Sequence, residues 1–286
     1  MIHLSHALRQ FNRFELKYLL TLKQTQEVKE SLCRYMNQDE NGDQAGRYSI
    51  SSLYYDSTNY RSYWEKENGV RYRRKLRIRH YVNGEDLSEI SPVFVEVKGR
   101  IDQVTQKRRV KLPYIDALRL CNDRQIPVCE SADQPIIDEV FFLLWQQNLL
   151  PANIIRYDRQ AFNGTIYDAG LRVTFDTALS FQTHPLHLHG EPSSLPILSP
   201  NRVIMEIKVN ERIPYWLTDL IAAHNLQLSR ISKYCLGVEV AMEHPSLPYR
   251  DLIAQGSEEV LSSTFSVPIF WKRLCEWQNN IRIKEK

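Results

Sequence analysis

Cations occupy every second position over nine residues in the first third of the chain, at Arg71, Arg73, Lys75, Arg77 and Arg79. A β-strand sends alternate side chains to opposite faces of a sheet, so these five groups would share one face. Aligned cations repel one another, and such a face is stable only when it is hydrated, paired with carboxylates or filled by an anion. The spacing therefore predicts either a hydrated surface face, which fits Arg71, Arg73 and Arg74 equally well, or a site for an anion.

Two following segments, residues 92–100 and 104–112, repeat the alternation of charged with apolar residues. Their charged positions on the repeating face are Glu96, Lys98, Lys107, Arg109 and Lys111. Between residues 70 and 112 the chain has twelve Lys or Arg residues and five acidic residues, whereas the net charge of the whole chain is only +3. Charge concentrated in this way indicates a binding site, and it argues against a generally basic nucleic-acid-binding protein.

Charged residues at alternate positions recur in other segments with a strand pattern. The cations of all these segments together are Lys17, Arg77, Arg79, Lys98, Lys107, Arg109, Arg159, Arg172 and Lys208, and the carboxylates are Glu15, Glu96 and Glu206. Guanidinium groups bind phosphate oxygens, and carboxylate oxygens bind Mg²⁺ or Mn²⁺. Many cations with few carboxylates therefore suit a phosphate polyanion together with a divalent metal.

The hydrophobic pattern predicts the elements that position these residues. Strict alternation predicts eight strands, at 11–20, 47–55, 70–81, 92–100, 104–112, 153–162, 171–179 and 202–210. Helical spacing predicts helices at 23–36, 58–66, 114–121, 135–149, 214–224 and 234–242. The strands and helices follow no regular βαβ rhythm, which favours an α+β fold built on an antiparallel sheet or barrel. An eight-stranded antiparallel β-barrel lined by long cations would enclose a hydrated tunnel rather than a dry core.

Composition bounds the class of protein. The chain of 286 residues is 43% hydrophobic, enough for a substantial core. Its five cysteines lack metal-finger spacing, and an odd number suits a reducing compartment. We find neither a secretory signal pattern nor an apolar run of the roughly 20 residues that a membrane helix requires. We therefore expect a soluble, cytoplasmic protein, which a partner protein could still bring to a membrane.

Three segments of the chain are expected to differ in role. Residues 1–10 are predicted to form a leader, residues 11–243 one domain, and residues 244–286 a C-terminal tail whose basic segment carries Trp271 and Trp277. The cluster of His184, His187 and His189 could be a zinc site, but no fixed element supports it, and a surface loop is the better interpretation.

Nine short motifs match one family in the same order. They are F-x-L-K-Y at 14–18, S-L-Y-Y-D at 52–56, L-R-I-R-H-Y at 76–81, F-V-E-V-K at 94–98, Q-K-R-R-V at 106–110, R-Y-D-R-Q-A-F at 156–162, L-R-V-T-F-D-T at 171–177, M-E-I-K at 205–208 and S-K-Y-C at 232–235. Over residues 10–243 the sequence resembles the VTC domain. This is the polyphosphate polymerase module of the vacuolar transporter chaperone complex and its bacterial relatives, within the triphosphate tunnel metalloenzyme (CYTH-like) superfamily.

The resemblance implies a triphosphate tunnel with flanking helices and a C-terminal plug helix. It implies ATP, triphosphate and polyphosphate as ligands, Mn²⁺ or Mg²⁺ as cofactor, and transfer of the γ-phosphoryl group of ATP to a growing polyphosphate chain. The residues expected at the reacting phosphates are Lys17, Arg77, Arg79, Lys98, Arg159 and Arg172. Further phosphate-binding residues are expected at Lys107, Arg109, Tyr157, Arg230, Ser232 and Lys233. Glu206 is the expected metal ligand, with Glu96 and Glu15 as additional candidates.

Two positions depart from the patterns of the superfamily. Arg230 stands where the eukaryotic polymerase has a lysine. Hydrolytic members carry E-x-E-x-K on the first strand, whereas this chain has Arg13, Glu15 and Lys17. A metal-directed carboxylate is thus replaced by a cation, which favours the polymerase branch. A tunnel triphosphatase and a non-catalytic polyphosphate-binding module are the two alternative functions.

Overall fold

A single antiparallel sheet carries most of the regular structure. The computed structural model describes residues 11–82, 86–102, 104–189, 194–210 and 212–243. The predicted leader at 1–10 and the predicted tail at 244–286, with Trp271 and Trp277, lie outside the described residues.

Ten strands and six α-helices are present in the described ranges. The strands are β1 (Phe11–Thr21), β2 (Met36–Gln38), β3 (Arg47–Asp56), β4 (Tyr72–Val82), β5 (Pro92–Ile101), β6 (Val104–Pro113), β7 (Leu150–Gly164), β8 (Arg172–Gln182), β9 (Leu195–Pro196) and β10 (Arg202–Val209). The helices are α1 (Leu22–Leu32), α2 (Arg61–Glu67), α3 (Tyr114–Asp123), α4 (Gln134–Gln146), α5 (Tyr215–Ala223) and α6 (Lys233–Glu243).

All eight predicted strands and all six predicted helices occur, but the strand number was wrong. The two additional strands, β2 and β9, have three and two residues, too few to show an alternation in the sequence. Helix α1 ends at Leu32 instead of residue 36, because the chain turns and enters β2 at Met36. Its start agrees with the prediction, since the Thr21 side chain accepts a hydrogen bond from the Gln24 amide in a capping box.

The sheet order is β2-β7-β3-β4-β5-β6-β1-β10-β8-β9, and β7 pairs additionally with β8. Every pairing is antiparallel, as predicted. Strand β7 thus pairs with β3 along one edge, where Arg159 opposes Tyr48, and with β8 along the other, where Arg159 opposes Asp176. The pairings bring strands that are distant in sequence next to one another around β7.

One face of the sheet is apolar and covered by helices. Valines of β5 and Leu76 and Ile78 of β4 are at most 3% exposed, and they pack against α3 and α4. Helices α1 and α5 cover the corresponding face of β1, β8 and β10 with side chains such as Val28 and Leu217, both fully buried. Strand alternation therefore directs the charged residues of the same strands to the opposite face.

Helix α6 and the segment before it lie against the charged side of the sheet. The Ser229 amide donates to the Lys17 carbonyl at 2.7 Å, which attaches this segment to β1. Tyr234 and Val238 of α6 pack in one cluster with Ile155 of β7. A Cβ atom at Gly237 would lie 2.7 Å from Ile155 Cδ1, so glycine permits the close approach of α6 to β7. None of the described helices has the length and apolarity needed to cross a membrane.

Candidate functional site

Strand register places the predicted site residues on one face of the sheet, which we call the charged face. Lys17 opposes Glu206, Arg77 opposes Glu96, and Lys98 opposes Lys107 as Cα partners in antiparallel pairs. The charged residues that the register places on this face include Glu15, Lys17, Arg73, Lys75, Arg77, Arg79, Glu96, Lys98, Arg100, Lys107, Arg109, Lys111, Arg159, Arg172, Asp176, Glu206 and Lys208. The alternation in the sequence predicted correctly that most of these residues share one face of the sheet.

Glu96 binds the cations of two neighbouring strands. Its Oε2 accepts hydrogen bonds from Arg77 Nε at 2.9 Å and Nη2 at 2.6 Å, and its Oε1 accepts one from Lys107 Nζ at 2.9 Å. Burial alone would raise the pKa of Glu96, but Lys107, Arg77 and Arg79 outweigh it and hold that pKa well below its ordinary value. Both oxygens of this fully buried carboxylate are engaged by protein cations. Glu96 is therefore poorly suited to the metal-binding role predicted from the sequence.

Asp176 holds a second group of cations, and the sequence analysis missed it. Its carboxylate accepts hydrogen bonds from Arg159 Nε at 2.6 Å and Nη2 at 2.8 Å, and Lys233 Nζ lies 2.6 Å from Oδ2. Burial raises the pKa of Asp176, but Arg159 and Lys233 outweigh it and bring the pKa to about 2. The alternation of Arg172, Thr174 and Asp176 along β8 was the available signal.

Glu206 is held more loosely than the other buried carboxylates. Its Oε1 lies 3.6 Å from Lys208 Nζ and its Oε2 lies 3.8 Å from Arg159 Nη2, both beyond hydrogen-bond distance. Burial would raise the pKa of Glu206, yet Lys208 and Lys17 hold it well below its ordinary value. The ionised Glu206 thus retains coordination capacity for an incoming cation.

Glu15 is the nearest candidate for a second carboxylate ligand. On β1 it opposes Lys208, next to the pair of Lys17 with Glu206, and Glu15 Oε2 accepts a hydrogen bond from Lys98 Nζ at 2.6 Å. Within the described ranges no group of three or more His, Cys, Asp or Glu residues could hold a metal ion. Mg²⁺ commonly binds through one or two carboxylates and completes its shell with substrate phosphates and water. The donor set fits a divalent metal that binds together with phosphate, and not a preformed metal centre.

Two lysines beside Glu206 are strongly desolvated. Burial lowers the pKa of Lys208 to about 7, although Glu206 and Glu15 oppose the shift. Burial likewise lowers the pKa of Lys17, whose Nζ donates to the Ile231 carbonyl at 2.9 Å. A bound anion would favour the charged form of both lysines. An anion beside these two lysines would therefore be stabilised by their charged forms.

Tyr157 lies where three of the predicted cations meet. Arg79 Nη2 donates to its hydroxyl at 3.0 Å, while Arg159 Cζ and Lys233 Nζ lie 5.2 and 4.9 Å from its ring centroid. The three cations come from β4, β7 and the start of α6. The aromatic ring thus separates like charges that would otherwise face one another directly.

Ser232, directly before α6, and Lys233, the first residue of α6, are placed differently from Arg230. Lys75 Nζ donates to Ser232 Oγ at 3.3 Å, and Lys233 reaches Asp176, so both positions join the charged face. Arg230 is exposed and lies outside the buried ion pairs. It lies near enough to Arg73 for the two positive charges to repel each other.

Tyr54 is a further residue of this face that sequence reasoning missed. Its hydroxyl accepts a hydrogen bond from Arg77 Nη1 at 2.8 Å. Burial raises the pKa of Tyr54, but Arg77 and Arg79 outweigh it and lower the pKa to about 8. The nearby cations thus more than offset the cost of burying the phenolate form of Tyr54.

Arg172 and Arg109 mark the opposite end of the charged face from α6. Arg172 Nη2 contacts Asp39 and donates to the Tyr48 hydroxyl at 2.8 Å. Arg109 Cζ lies 4.5 Å from the ring centroid of Phe94. These guanidinium groups extend the array of cations to the region where the side chains are partly exposed.

The three histidines of the loop after β8 form no metal site with other residues in the described ranges. The rings of His187 and His189 stack with centroids 4.2 Å apart, and His187 Nδ1 lies 2.8 Å from the His189 carbonyl oxygen. His184 and His189 are exposed. The prediction of a surface loop agrees with this placement.

Comparison with known proteins connects these residues to one family. The family model described as the VTC domain matches residues 12–242. A Bacillus halodurans protein assigned provisionally as an adenylate cyclase is similar in structure, with 12% identity, a TM-score of 0.46, and coverage of 79% of this chain and 96% of its own. The PH1819 protein of Pyrococcus horikoshii OT3 has 15% identity and a TM-score of 0.42, with coverage of 80% and 99% respectively. No curated protein matches the sequence significantly.

Proposed function

The chain belongs to the VTC domain family, and on this basis we propose that it is a metal-dependent polyphosphate polymerase. It would transfer the γ-phosphoryl group of ATP to a growing chain of inorganic polyphosphate. The observation that carries the proposal is the surplus of buried and partly buried cations over carboxylates on the charged face. In the described part of the chain, Lys75 and Arg109 have no carboxylate within ion-pair distance, and Arg79 reaches Glu96 only at 3.9 Å. A phosphate chain would supply the missing negative charge.

We further propose that the eight longer strands close into a tunnel around the charged face. The pairing of β7 with both β3 and β8 supports this closure. An eight-stranded barrel has room inside for side chains or one slim ligand, and a phosphate chain is such a ligand. A phosphate chain bound in this hydrated tunnel would displace much of its water, which would strengthen the interaction of phosphate with each cation.

The cations take two roles in this proposal. Those at the reacting phosphates would be Lys17, Arg77, Arg79, Lys98, Arg159 and Arg172, and those along the chain would be Lys107, Arg109, Arg230 and Lys233, with the hydroxyl groups of Tyr157 and Ser232. Glu206, with Glu15 beside it, would hold Mn²⁺ or Mg²⁺. Such an ion, when bound, neutralises charge on the transferred phosphoryl group.

The proposed transfer needs no proton. A terminal oxygen of the polyphosphate chain, ionised near pH 7, forms a bond to the γ-phosphorus of ATP, while the bond from that phosphorus to the β,γ-bridging oxygen breaks and ADP leaves with the oxygen. Hydrolysis would in addition require a general base to deprotonate water, a role for which a carboxylate free of cationic partners is well suited. Glu96, Asp176 and Glu15 are instead engaged by protein cations at 2.6–2.9 Å, which favours the polymerase over the triphosphatase. We place the reaction in the cytoplasm, where ATP is supplied.

One assay separates the three functions. The protein is incubated with ATP and Mn²⁺, and long polyphosphate and free phosphate are measured separately. We expect long chains from the wild type, and their loss in Glu206→Gln and Lys98→Ala. The variant Lys23→Ala, at a lysine whose side chain is 87% exposed, is the matched control and should behave as wild type. Free phosphate without chains would identify a triphosphatase, and neither product would identify a binding module.

A further inference from the structure

Three aromatic side chains form a continuous group at one end of the charged face. Tyr48 of β3, Tyr81 of β4 and Phe94 of β5 lie on neighbouring strands. The Tyr48 and Tyr81 ring centroids are 5.8 Å apart, and those of Tyr81 and Phe94 are 5.7 Å apart. All three side chains are partly exposed, and Lys111, the Cα partner of Phe94, is exposed. The group, which we call the aromatic mouth, therefore reaches solvent.

The aromatic mouth continues directly from the phosphate-binding cations. Tyr81 is the next residue on the charged face after Arg79, about 6.8 Å farther along β4 at the usual rise of a strand. Phe94 is the Cα partner of Arg79 on the adjacent strand. Arg109 covers the Phe94 ring with its guanidinium group 4.5 Å away, and Arg172 donates to the Tyr48 hydroxyl. Three cations, Arg79, Arg109 and Arg172, thus adjoin the aromatic mouth.

Inorganic phosphate chains give no reason for such a group. They are hydrophilic, have no flat apolar surface, and gain nothing from partly exposed aromatic rings. A nucleoside triphosphate, in contrast, carries a flat base that aromatic rings can bind, and this base lies one ribose beyond the α-phosphate. The step from Arg79 to Tyr81 is close to the span of that ribose. Bases stack on aromatic side chains and on guanidinium planes, and such stacking requires no hydrogen-bonded recognition of one particular base.

We propose that Tyr48, Tyr81 and Phe94, with Arg109, bind the base of ATP when its phosphates lie among the cations of the charged face. This inference rests on the proposed function, and it adds a base-binding subsite to the phosphate site. The subsite makes ATP bind more tightly than its triphosphate portion alone would. It also orients the nucleotide, with the γ-phosphate directed toward Glu206 and α6.

The test compares two ligands on matched variants. Binding of ATP and of inorganic triphosphate is measured by calorimetry without divalent metal for the wild type, Phe94→Leu, Phe94→Tyr and Phe14→Leu. Phe14 is 39% exposed on the opposite face of β1 and serves as the control for the same substitution. We expect Phe94→Leu to weaken ATP binding roughly 5- to 100-fold and to change triphosphate binding less than twofold. Phe94→Tyr and Phe14→Leu should retain wild-type affinity for both ligands.

Equal loss of both ligands in Phe94→Leu would overturn the subsite, because it would show a general packing defect. Unchanged ATP affinity in that variant would overturn it as well. If Phe94→Leu fails to fold, the fluorescent analogue ethenoadenosine triphosphate is titrated into the wild type, and stacking is expected to quench its emission. Emission that stays constant while the analogue binds would overturn the subsite. Failure of the wild type to bind inorganic triphosphate would instead overturn the proposed function, so the two failures are distinguishable.

Discussion

The ammonium group of Lys233 lies 2.6 Å from Oδ2 of Asp176, which joins the first residue of α6 to the middle of β8. The same carboxylate accepts two hydrogen bonds from Arg159. A single buried acid thus holds one cation of the sheet and one of the helix at the same place. The position of α6 and the arrangement of cations on the charged face are therefore coupled.

Removing the charge of Asp176 should destabilise the protein strongly. In Asp176→Asn, two buried cations lose their counterion, and the free energy of unfolding should fall by about 3–5 kcal/mol. Inorganic triphosphate should stabilise this variant more than it stabilises the wild type. The bound anion would replace the missing negative charge between Arg159 and Lys233. Urea denaturation with and without triphosphate measures both effects. Asp219→Asn, at an exposed position of α5, is the control, and an equal loss in the two variants would contradict the argument.

The same carboxylate predicts a dependence of stability on acid pH. The pKa of Asp176 is about 2 in the folded protein against an ordinary value of 3.8. Ionised Asp176 therefore contributes its full stabilisation at pH values above its pKa in the unfolded chain. This contribution is lost as pH falls from about 4 to 2. The loss should be about 2 kcal/mol from this group, and Asp176→Asn should lack it. Denaturation at a series of pH values tests this, and identical slopes in the two proteins would count against it.

Triphosphate binding should weaken as pH rises above 7. The pKa of Lys208 is lowered to about 7 by burial, so its charge is progressively lost in the free protein at higher pH. A bound anion favours the charged form, and binding above pH 7 must then take up a proton. Calorimetry in buffers of different ionisation enthalpy, without divalent metal, measures this uptake. Lys208→Met should abolish most of it, and undiminished uptake in that variant would refute the assignment to Lys208.

Glu206 should be required for metal-dependent synthesis and not for metal-free binding. Glu206→Gln keeps the shape of the side chain and removes the charge that would hold Mn²⁺. Synthesis of polyphosphate should fall roughly 100-fold or more, since metal ions contribute several kcal/mol to stabilising phosphoryl transfer. Binding of triphosphate without metal should stay equal or increase, because a negative charge has been removed. A parallel loss of metal-free binding would show that Glu206 acts on the fold instead.

Phosphate ligands should stabilise the whole fold. Triphosphate at 100 times its dissociation constant should add about 2.7 kcal/mol to the free energy of unfolding, by binding only the folded state. Thermal unfolding with triphosphate, and with sulfate at equal ionic strength as control, measures the effect. An unchanged melting temperature would mean that the cations of the charged face do not act together on one anion.

Much of this site was predictable because strand alternation is a local property of the sequence. The two-residue period of a strand sends Arg77 and Arg79 to one face and Leu76 and Ile78 to the other. This holds whatever the neighbouring strand is. The antiparallel sheet, the six helices and the common face of most site residues follow from such patterns. Strands as short as β2 have too few residues to carry a pattern, and they were missed.

The partners of each charge could not be predicted in the same way. Strand alternation places Glu96 on the charged face and made it a candidate metal ligand. Only the pairing of β4, β5 and β6 shows that Arg77 and Lys107 engage both of its oxygens. The alternation along β8 places Asp176 on the charged face, but it does not show the partners of this carboxylate. Those are Arg159 and Lys233, which β7 and α6 bring to it. The sequence by itself determined which residues share a face, since side-chain direction depends on the strand alone. The tertiary structure decided which charges meet, since ion pairs depend on the register of strands and helices that are distant along the chain.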